Sequence, residues 1–415
     1  MHSPVLPRTA RSLLALGAAA AIAAFAAACG DSGAEPTPDA PIAAPESAGP
    51  VLPATPSGRV GGARGDAAPE FAGIGEWINS DPFTMDDLLG QVVLIDFWTY
   101  TCINCIRTIP YLQDWHEKYA DRGLVIVGVH TPEFEFEKVT ENVIASTEEL
   151  GIGWAVAQDN DFRTWRAYNN RYWPAKYLID SDGVVRYTHF GEGSYNETEE
   201  SIRGLLAEAG YDVSGIAANP DPGPEVDERA RGSSIDDQQT REIYGGWNRN
   251  SSSAGLYIHH PEYYDGPSLT QVYRDPGGHL NQFLYLNGSW TSEEESIKHG
   301  RATENLEDYI ALLFFARTVN IVIDFEPETE PYEVDVTIAD PVEPGTEPAY
   351  RPLRADEAGE HIVVEEGRSY FVVNEPDLYN AVALPEFGSA ELKFASNSPD
   401  FALFALTFGS YAEMY

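Results

Sequence analysis

Two cysteines three residues apart, Cys102 and Cys105, stand between a strongly apolar segment and an amphipathic one. Residues 92–97 are apolar except for one acid, which is typical of a strand buried on both faces of a sheet. In residues 106–119 the apolar side chains recur at a helical period. The sequence therefore predicts a strand, then the Cys-x-x-Cys pair, then a helix whose N-terminus carries Cys102.

This position gives the two thiols different chemistry. Free backbone amides and the helix dipole at a helix N-terminus lower a thiol pKa and stabilise the thiolate. Cys105, one turn inside the helix, is placed to attack a mixed disulfide formed on Cys102. A structural disulfide would have the same spacing, but the flanking strand and helix favour a redox-active pair.

The segments that follow alternate between strand and helix patterns. A second buried strand is predicted at residues 124–129, a helix at 138–150, strands at 175–180 and 184–190, and a closing helix at 196–209. Such an order predicts an α/β domain built around one sheet.

Charge and cysteine content exclude several classes of protein. The chain has 66 acidic and 26 basic side chains, a net charge of −40, so phosphate repulsion argues against nucleic-acid binding. The three cysteines, Cys29, Cys102 and Cys105, are too few for a disulfide-rich scaffold. No Cys and His set has the spacing of zinc ligands, so we expect no metal site.

The N-terminus has the pattern of an export signal. Arg8 and Arg11 precede an Ala/Leu-rich segment, which predicts a signal peptide at residues 1–28. Cys29 follows three alanines, as at a bacterial lipoprotein cleavage site, although Ala26 stands where leucine is usual. Lipidation of Cys29 is therefore predicted; an ordinary cleaved signal and an uncleaved anchor are the alternatives. Residues 29–68, rich in Pro, Ala, Gly and Ser, predict a flexible tether on the outer side of a bacterial membrane, periplasmic or extracytoplasmic.

The second half of the chain changes to strand patterns. A Pro-rich stretch at residues 219–224 interrupts all periodicity, and residues 213–239 are predicted to be a linker. Residues 332–338 alternate between apolar and polar side chains, and further β-rich segments lie at 311–325, 361–364, 370–373 and 401–408. Residues 240–415 are therefore predicted to form a β-sandwich or jelly roll.

The residues from Asp96 to Cys105 resemble the thioredoxin superfamily, and the segment before Trp173-Pro174 is similar to its exported, membrane-tethered branch. Residues 98–105, 172–180 and 189–193 further resemble the extracytoplasmic part of DipZ-type proteins. That similarity runs to the end of the chain. It implies a thioredoxin-like domain at residues 69–212 and a carbohydrate-binding-module-like jelly roll after it. DipZ-type proteins begin with a multi-span, electron-carrying membrane domain, where this chain has its lipoprotein signal.

The resemblance also implies roles for individual residues. Cys102 would be the attacking thiolate and Cys105 the resolving thiol. Asp96 would be a buried acid with a raised pKa that takes the proton of Cys105, or else an acid with only a structural hydrogen bond. Pro174 would be a cis-proline that leaves the backbone of Trp173 free to pair with an extended substrate.

Three further residues are candidates around the cysteines. Trp98 resembles the family's aromatic wall beside the pair, with core packing as the alternative. If the strands ending at Phe97 and Val129 are parallel neighbours, their following loops meet at one sheet edge, where α/β folds bind ligands. His130 and Glu133 would then flank the cysteines and contact substrate or tune the thiolate, unless this is an ordinary loop.

The second domain has several aromatic residues that a glycan site would need. Sugar binding requires rings on one exposed face, and the candidates are Trp247, Tyr257, Tyr263, Tyr264 and Trp290. Aromatic residues of β-sandwiches mostly pack in cores, which argues against a glycan site. A docking or interdomain role of the domain is the alternative.

The leading hypothesis is a thiol–disulfide oxidoreductase that reduces disulfides of exported proteins. With one redox pair and no cofactor beyond the Cys102–Cys105 disulfide, its electrons would come from an integral-membrane donor. One alternative is a thiol peroxidase, because Thr99 and Cys102 have the Thr-x-x-Cys spacing of peroxiredoxins, although Ile95 stands at their proline position. Another is a glycan-binding lipoprotein without enzymatic activity.

Overall fold

The computed structural model describes residues 61–411, except 221–222, 224–227, 232–237, 251–254 and 343–347. The predicted signal peptide, the predicted lipidation site at Cys29 and most of the predicted tether lie outside the described residues. Within the described part, no helix has the length and apolar character needed to cross a membrane.

The first domain is a single sheet with helices packed against it. Its described strands are β1 (Trp77–Ile78), β2 (Val92–Trp98), β3 (Leu124–His130), β4 (Ala155–Gln158), β5 (Ala175–Ile179) and β6 (Val185–Phe190). Its helices are α1 (Ile103–Tyr119), α2 (Thr140–Glu149), α3 (Arg163–Ala167) and α4 (Tyr195–Glu208). The sheet order is β1-β4-β3-β2-β5-β6, with β2, β3 and β4 parallel and β5 antiparallel to β2. The predicted α/β class is confirmed, and the arrangement is thioredoxin-like.

Strand β2 is buried on both faces, as its continuous apolar sequence predicts. Leu94 belongs to the cluster that includes Leu112 and Trp115 of α1, whereas Ile95 and Phe97 belong to the cluster on the other face. Full burial of each such side chain stabilises the fold by about 1.5–3 kcal/mol. The central strand therefore holds its C-terminal end, where the cysteines begin, in a rigid position.

Helix α1 begins directly after Cys102, as predicted, although the apolar period starts only at residue 106. Cys102 is its N-cap, and the amides of Cys105 and Ile106 both donate to the Cys102 carbonyl oxygen, at 2.9 and 3.0 Å. The apolar period gave no sign of this first turn because its side chains belong to the redox motif. The predicted helix at 138–150 is confirmed as α2, Thr140–Glu149, and a separate 3-10 turn at Glu135–Lys138 precedes it.

The predicted tether and linker both extend too far into folded structure. The amides of Gly65 and Ala68 donate to the carbonyl oxygens of Val185 and Gly183, so the last described part of the tether packs on β6. At the start of the linker, Val213 is buried and Ile216 packs against the core. Backbone pairing of small residues leaves no hydrophobic period, which is why the sequence pattern did not show it.

The second domain contains eleven strands among the described residues and confirms the all-β class. They are β7 (Ile243–Tyr244), β8 (Leu269–Tyr273), β9 (Tyr285–Ser292), β10 (Ile297–His299), β11 (Tyr309–Ile323), β12 (Tyr332–Ala339), β13 (Arg351–Pro352), β14 (Val363–Glu365), β15 (Arg368–Val373), β16 (Asp377–Ala395) and β17 (Ala402–Gly409). Strand β9 pairs with β10 and β11, and β17 pairs with the same two strands. This closed path gives the sheet a barrel-like curvature.

The long strand β16 was not predicted. Its pairing with β11 is irregular around residues 384–387, because Thr318 pairs with Ala383 and Ala316 with Gly388. Pro385 lies in this irregular stretch, where its missing N–H costs no ladder hydrogen bond. The proline breaks the strand pattern in the sequence without breaking the strand.

The two domains pack against each other and belong to one compact unit. The ring of Phe404 on β17 lies edge-on to Phe134 and Phe136, at centroid distances of 5.3 and 5.1 Å. The Glu135 amide donates to Glu295 at 2.9 Å. Contacts from the loop after β3 therefore place the second domain beside the end of the sheet that carries the cysteines.

Candidate active site

Cys102 and Cys105 lie at the start of α1 with different exposure. Cys102 is partly exposed, Cys105 is 1% exposed, and both are unbonded thiols in this structure. The Cys105 amide lies 3.4 Å from Cys102 Sγ and donates to it. A backbone donor at a helix N-terminus favours negative charge on the sulfur.

Cys105 is held in the protonated form by its surroundings. Burial raises the pKa of the Cys105 thiol well above its usual range, and the neighbouring Cys102 and the Asp96 carboxylate act in the same direction. The outer sulfur therefore suits attack on a disulfide, and the inner sulfur suits the second step, in which it must first lose its proton.

Asp96 on β2 is buried beneath the pair and faces a buried lysine. Lys176 lies opposite it on β5, with its Nζ 3.2 Å from Asp96 Oδ1, and its side chain is fully buried. Burial raises the pKa of Asp96, and the positive charge of Lys176 opposes that shift. An acid with a raised pKa below Cys105 has the properties needed to accept its proton. The sequence analysis did not consider Lys176, although the lysine stands in a predicted strand.

The loop before β5 lies beside the cysteines. The peptide bond between Trp173 and Pro174 is cis, and the Pro174 carbonyl oxygen accepts a hydrogen bond from the Gly191 amide at 2.8 Å. Trp173 Nε1 donates to the Thr131 carbonyl oxygen at 3.0 Å, and its ring packs on Trp165 at 4.3 Å. The half-buried Trp173 and Cys102 line one cavity.

Trp98 and His130 are buried, which corrects the prediction that these side chains contact a substrate. β2 and β3 are parallel neighbours, as expected, and these two residues are paired at their ends. Trp98 is 2% exposed and His130 is fully buried, with their rings 5.2 Å apart. Burial lowers the pKa of His130 to about 3. Neither side chain is exposed for direct contact with a substrate, and the burial of Trp98 fits the core-packing alternative.

Glu133 lines the same cavity as Cys102, as predicted, and it also contacts the second domain. Its Oε1 accepts hydrogen bonds from the Tyr244 hydroxyl and from Arg249 Nη2, both at 2.9 Å. Arg249 also lies over the Tyr244 ring, with its Cζ 4.6 Å from the centroid. Glu133 therefore joins the domains at the edge of the active site.

Glu137 is a further site residue that the sequence analysis missed. It is fully buried, and its Oε1 accepts from the hydroxyl of Thr101 at 2.6 Å. Its Oε2 accepts from the amides of Glu133 and Phe134, at 2.5 and 3.0 Å. Burial raises the pKa of Glu137 to about 7. No sequence motif marks this glutamate among its acidic neighbours.

A cavity of about 460 Å³ lies between the two domains, and Cys102 is one of the residues that line it. The first domain contributes Cys102, Arg107, Trp173 and other residues, and the second contributes β17 and the segment around β7. A volume of this size is ordinary for a small-molecule or peptide side-chain site. Cys102 therefore faces a recess with walls from both domains.

The aromatic candidates for sugar binding are mostly in the core. Tyr257, Tyr263 and Trp290 are 7%, 0% and 1% exposed, so these three cannot form an exposed stacking face. Trp247 and Tyr264 are partly buried and pack against the same core. These five rings therefore serve mainly to pack the core of the second domain.

Among the described residues, no group of three or more His, Cys, Asp or Glu side chains is arranged to hold a metal ion. The chemical groups at the site are instead two thiols, a buried acid and a cis-proline loop. On a thioredoxin-like sheet, this set defines a thiol–disulfide redox protein.

Comparison with known proteins agrees with that class. Residues 64–188 match the AhpC/TSA family, and residues 240–409 match a thioredoxin-like C-terminal domain family. The chain is 39% identical over 261 residues to protein DipZ of Mycobacterium tuberculosis, which covers 62% of this chain but only 35% of DipZ. The chain thus spans about a third of the length of this relative.

Shorter relatives match the first domain. Thiol-disulfide oxidoreductase YkuV of Bacillus subtilis is 30% identical over 141 residues, which is 34% of this chain and 94% of YkuV. Thiol-disulfide oxidoreductase ResA of Bacillus thuringiensis is 27% identical over 142 residues, or 34% of this chain and 76% of ResA. The chain belongs to the thioredoxin-like family of thiol–disulfide oxidoreductases.

Proposed function

We propose that the protein reduces disulfides of exported proteins at the outer side of a bacterial membrane. The observation that carries this proposal is the position of Cys102, partly exposed at the N-terminus of α1, with Cys105 buried behind it. A dithiol arranged in this way attacks a disulfide with its outer sulfur and releases the product with its inner sulfur.

The roles of the surrounding residues follow from their positions. The Cys102 thiolate forms a mixed disulfide, while the substrate chain lies along the loop at Trp173 and Pro174. The buried carboxylate of Asp96 then accepts the proton of Cys105, and the Cys105 thiolate attacks Cys102 Sγ. The second substrate thiol leaves, and the Cys102–Cys105 disulfide remains as the protein's redox group, without a further cofactor.

Electrons must reach this disulfide from outside the chain. The third cysteine, Cys29, is at the proposed lipidation site, so it does not serve as an internal relay. A lipid on Cys29 and the tether after it would hold the redox domain close to the membrane surface. An integral-membrane thiol donor is therefore the proposed source of electrons.

The reaction is tested with the pre-reduced protein and insulin as a disulfide-bonded probe. We expect the wild type to open insulin disulfides while one Cys102–Cys105 disulfide forms per turnover. Cys105→Ser should accumulate a mixed disulfide on Cys102, which mass spectrometry detects, and Cys102→Ser should form none. Equal amounts of adduct on both variants would contradict the assigned roles.

The anchor is tested separately in cells. The wild type should incorporate a radiolabelled fatty acid and sediment with membranes. Cys29→Ser should lose both properties while its Cys102–Cys105 pair still reacts with insulin. If Cys29→Ser still sedimented with membranes without carrying the label, an anchor other than a lipid on Cys29 would hold the protein there.

Thiol peroxidase activity is a second candidate because the first domain matches the AhpC/TSA family. The Thr99 hydroxyl of the Thr-x-x-Cys spacing is fully buried and lies 3.3 Å from His130 Nε2, so it is not directed to a peroxide at Cys102. Rapid mixing of the reduced protein with hydrogen peroxide decides between the two. If hydrogen peroxide oxidised the Cys102–Cys105 dithiol faster than disulfides do, the peroxidase function would be favoured.

A further inference from the structure

The backbone immediately before helix α1 forms a tight turn that ends at the reactive sulfur. The Cys102 amide donates to the Thr99 carbonyl oxygen at 3.3 Å, and the helix begins with the next residue, Ile103. Cys102 Sγ accepts from the Cys105 amide at 3.4 Å. The turn at residues 99–102 therefore sets where the sulfur lies relative to the amides of the helix N-terminus, which stabilise a thiolate.

The two hydroxyl groups of this turn are bound to the end of β3 and the loop after it. The Thr99 hydroxyl lies 3.3 Å from His130 Nε2, and the Thr101 hydroxyl donates to Glu137 Oε1 at 2.6 Å. Thr99 and Thr101 are 0% and 2% exposed, so water does not compete for either contact. A hydroxyl that donates to a carboxylate makes a charge-assisted bond, about twice as strong as a neutral one. The bond to Glu137 is therefore the stronger attachment of the turn.

Glu137 is buried at a cost in free energy. Within the part of the chain that the structure describes, its carboxylate has only neutral hydrogen-bond partners: the Thr101 hydroxyl and the amides of Glu133 and Phe134. The charge that acts on it, on Glu133, has the same sign. An apolar side chain at this position would avoid the cost of a buried ionisable group. A costly acid beside a reactive residue is a candidate for a role in the reaction.

The two oxygens of this carboxylate bind different parts of the domain. Oε2 is fixed by two amides of the loop that carries Glu137, whereas Oε1 reaches across to Thr101 in the redox turn. A side chain that is anchored on one side can hold a neighbouring segment in place on the other.

We propose that Glu137 is a positioning residue for the reaction at Cys102. Through the Thr101 hydroxyl it holds the turn at residues 99–102 so that the Cys102 sulfur stays at the Cys105 amide. Without this attachment the turn relaxes, the sulfur moves away from the amide, and a smaller fraction of Cys102 is thiolate at neutral pH. The inference rests on the proposed function, in which that thiolate attacks the substrate.

Variants of Thr101 test the attachment without changing any charge. Thr101→Val replaces the hydroxyl by a methyl group of similar size, whereas Thr101→Ser keeps the hydroxyl. Alkylation of Cys102 by iodoacetamide is measured in the reduced full-length protein from about pH 5 to 10, and mass spectrometry identifies the modified peptide. We expect Thr101→Val to raise the midpoint by about one pH unit, which is a tenfold smaller thiolate fraction at neutral pH. Thr101→Ser should keep the wild-type midpoint.

Two variants of Glu137 separate positioning from charge. Glu137→Gln loses the charge but can still bind the Thr101 hydroxyl and the two amides, so its midpoint should stay close to that of the wild type. Glu137→Met has a side chain of similar length without these hydrogen bonds, and its midpoint should rise as in Thr101→Val. A pure charge effect has the opposite sign, because loss of a nearby negative charge lowers a thiol pKa in both variants.

Thr147→Val is the matched control. Thr147 is 2% exposed and its hydroxyl donates to the Val143 carbonyl oxygen within α2 at 2.6 Å, so its removal should leave the midpoint unchanged. Equal midpoints for the wild type and Thr101→Val would overturn the inference, as would equal rises in Thr101→Val and Thr147→Val. If Glu137→Met does not fold, the Thr101 variants alone decide.

The alkylation measurement uses no disulfide substrate, so it is independent of the proposed function. A protein whose Cys102 midpoint responds as expected but which does not reduce insulin would overturn the proposed function and leave the positioning role in place.

Discussion

The hydroxyl of Thr101 donates a 2.6 Å hydrogen bond to the buried carboxylate of Glu137. Thr101 directly precedes Cys102, and Glu137 belongs to the 3-10 turn that follows the interdomain residue Glu133. The amides of Glu133 and Phe134 bind the second oxygen of the same carboxylate. One buried group therefore ties the redox loop to the loop that contacts the second domain.

Glu137→Gln should change how stability depends on pH. Because burial raises the pKa of Glu137 to about 7, the folded protein keeps a proton that the unfolded chain releases near pH 4.5. The contribution of this residue to the free energy of unfolding should thus fall by about 3 kcal/mol between pH 4.5 and 7. Chemical denaturation across this range should show that the free energy of unfolding of the variant rises relative to that of the wild type as pH rises. Glu135→Gln, at a neighbouring exposed acid, is the control and should keep the pH dependence of the wild type. If the free energy of unfolding of Glu137→Gln fell with pH as steeply as that of the wild type, the raised pKa of Glu137 would be contradicted.

Phe404→Ala should loosen the contact between the domains. The ring is 7% exposed and packs on Phe134 and Phe136, so its loss should cost about 3–5 kcal/mol. Alkylation of Cys102 should then become faster, because the cavity wall moves more easily. Phe371→Ala, in the core of the same domain, should destabilise the protein to a similar extent without this acceleration. Equal acceleration in both variants would point to general unfolding.

Removing the acid below the cysteines should slow the release of product. Asp96→Asn alone would leave Lys176 buried and unpaired at a cost of about 3–5 kcal/mol, so the variant to measure is Asp96→Asn with Lys176→Met. Without the proton acceptor, decay of the mixed disulfide should slow about a hundredfold at pH 7. Rapid-quench mass spectrometry follows this decay. A wild-type rate in the double variant would leave Asp96 with a structural role only.

His130 should remain neutral at all physiological pH values. Burial lowers its pKa to about 3, so its ring resonances should not move between pH 5 and 8 in an NMR titration. The unfolded chain binds a proton at this residue near pH 6.5, and the folded protein does not. His130 therefore makes the folded state less stable as pH falls from about 6.5 toward 3. A midpoint between pH 6 and 7 would show that the ring is accessible to solvent.

The parts of the site that the sequence predicted are local. A strand, two cysteines and a helix are consecutive in the chain, so their order already states how Cys102 and Cys105 are placed. Residues that meet across the fold had no such signal: Glu133 and Tyr244 are 111 positions apart, and no period connects them. The ends of β2 and β3 show the same limit, since strand direction predicted that the loops after them meet at one sheet edge but not that Trp98 and His130 are buried.

The central claim is that Cys102 and Cys105 form a reducing redox couple, and their reduction potential tests it most directly. The protein is equilibrated in dithiothreitol or glutathione buffers, and the fraction of Cys102–Cys105 disulfide is read by thiol alkylation and mass spectrometry, with Cys102→Ser as the control. A two-electron transition at about −270 mV, the value of thioredoxin, is the predicted result. A potential of about −120 mV would make the protein an oxidant and reverse the proposed direction of electron flow, and a pair that never forms a disulfide would contradict the redox role itself.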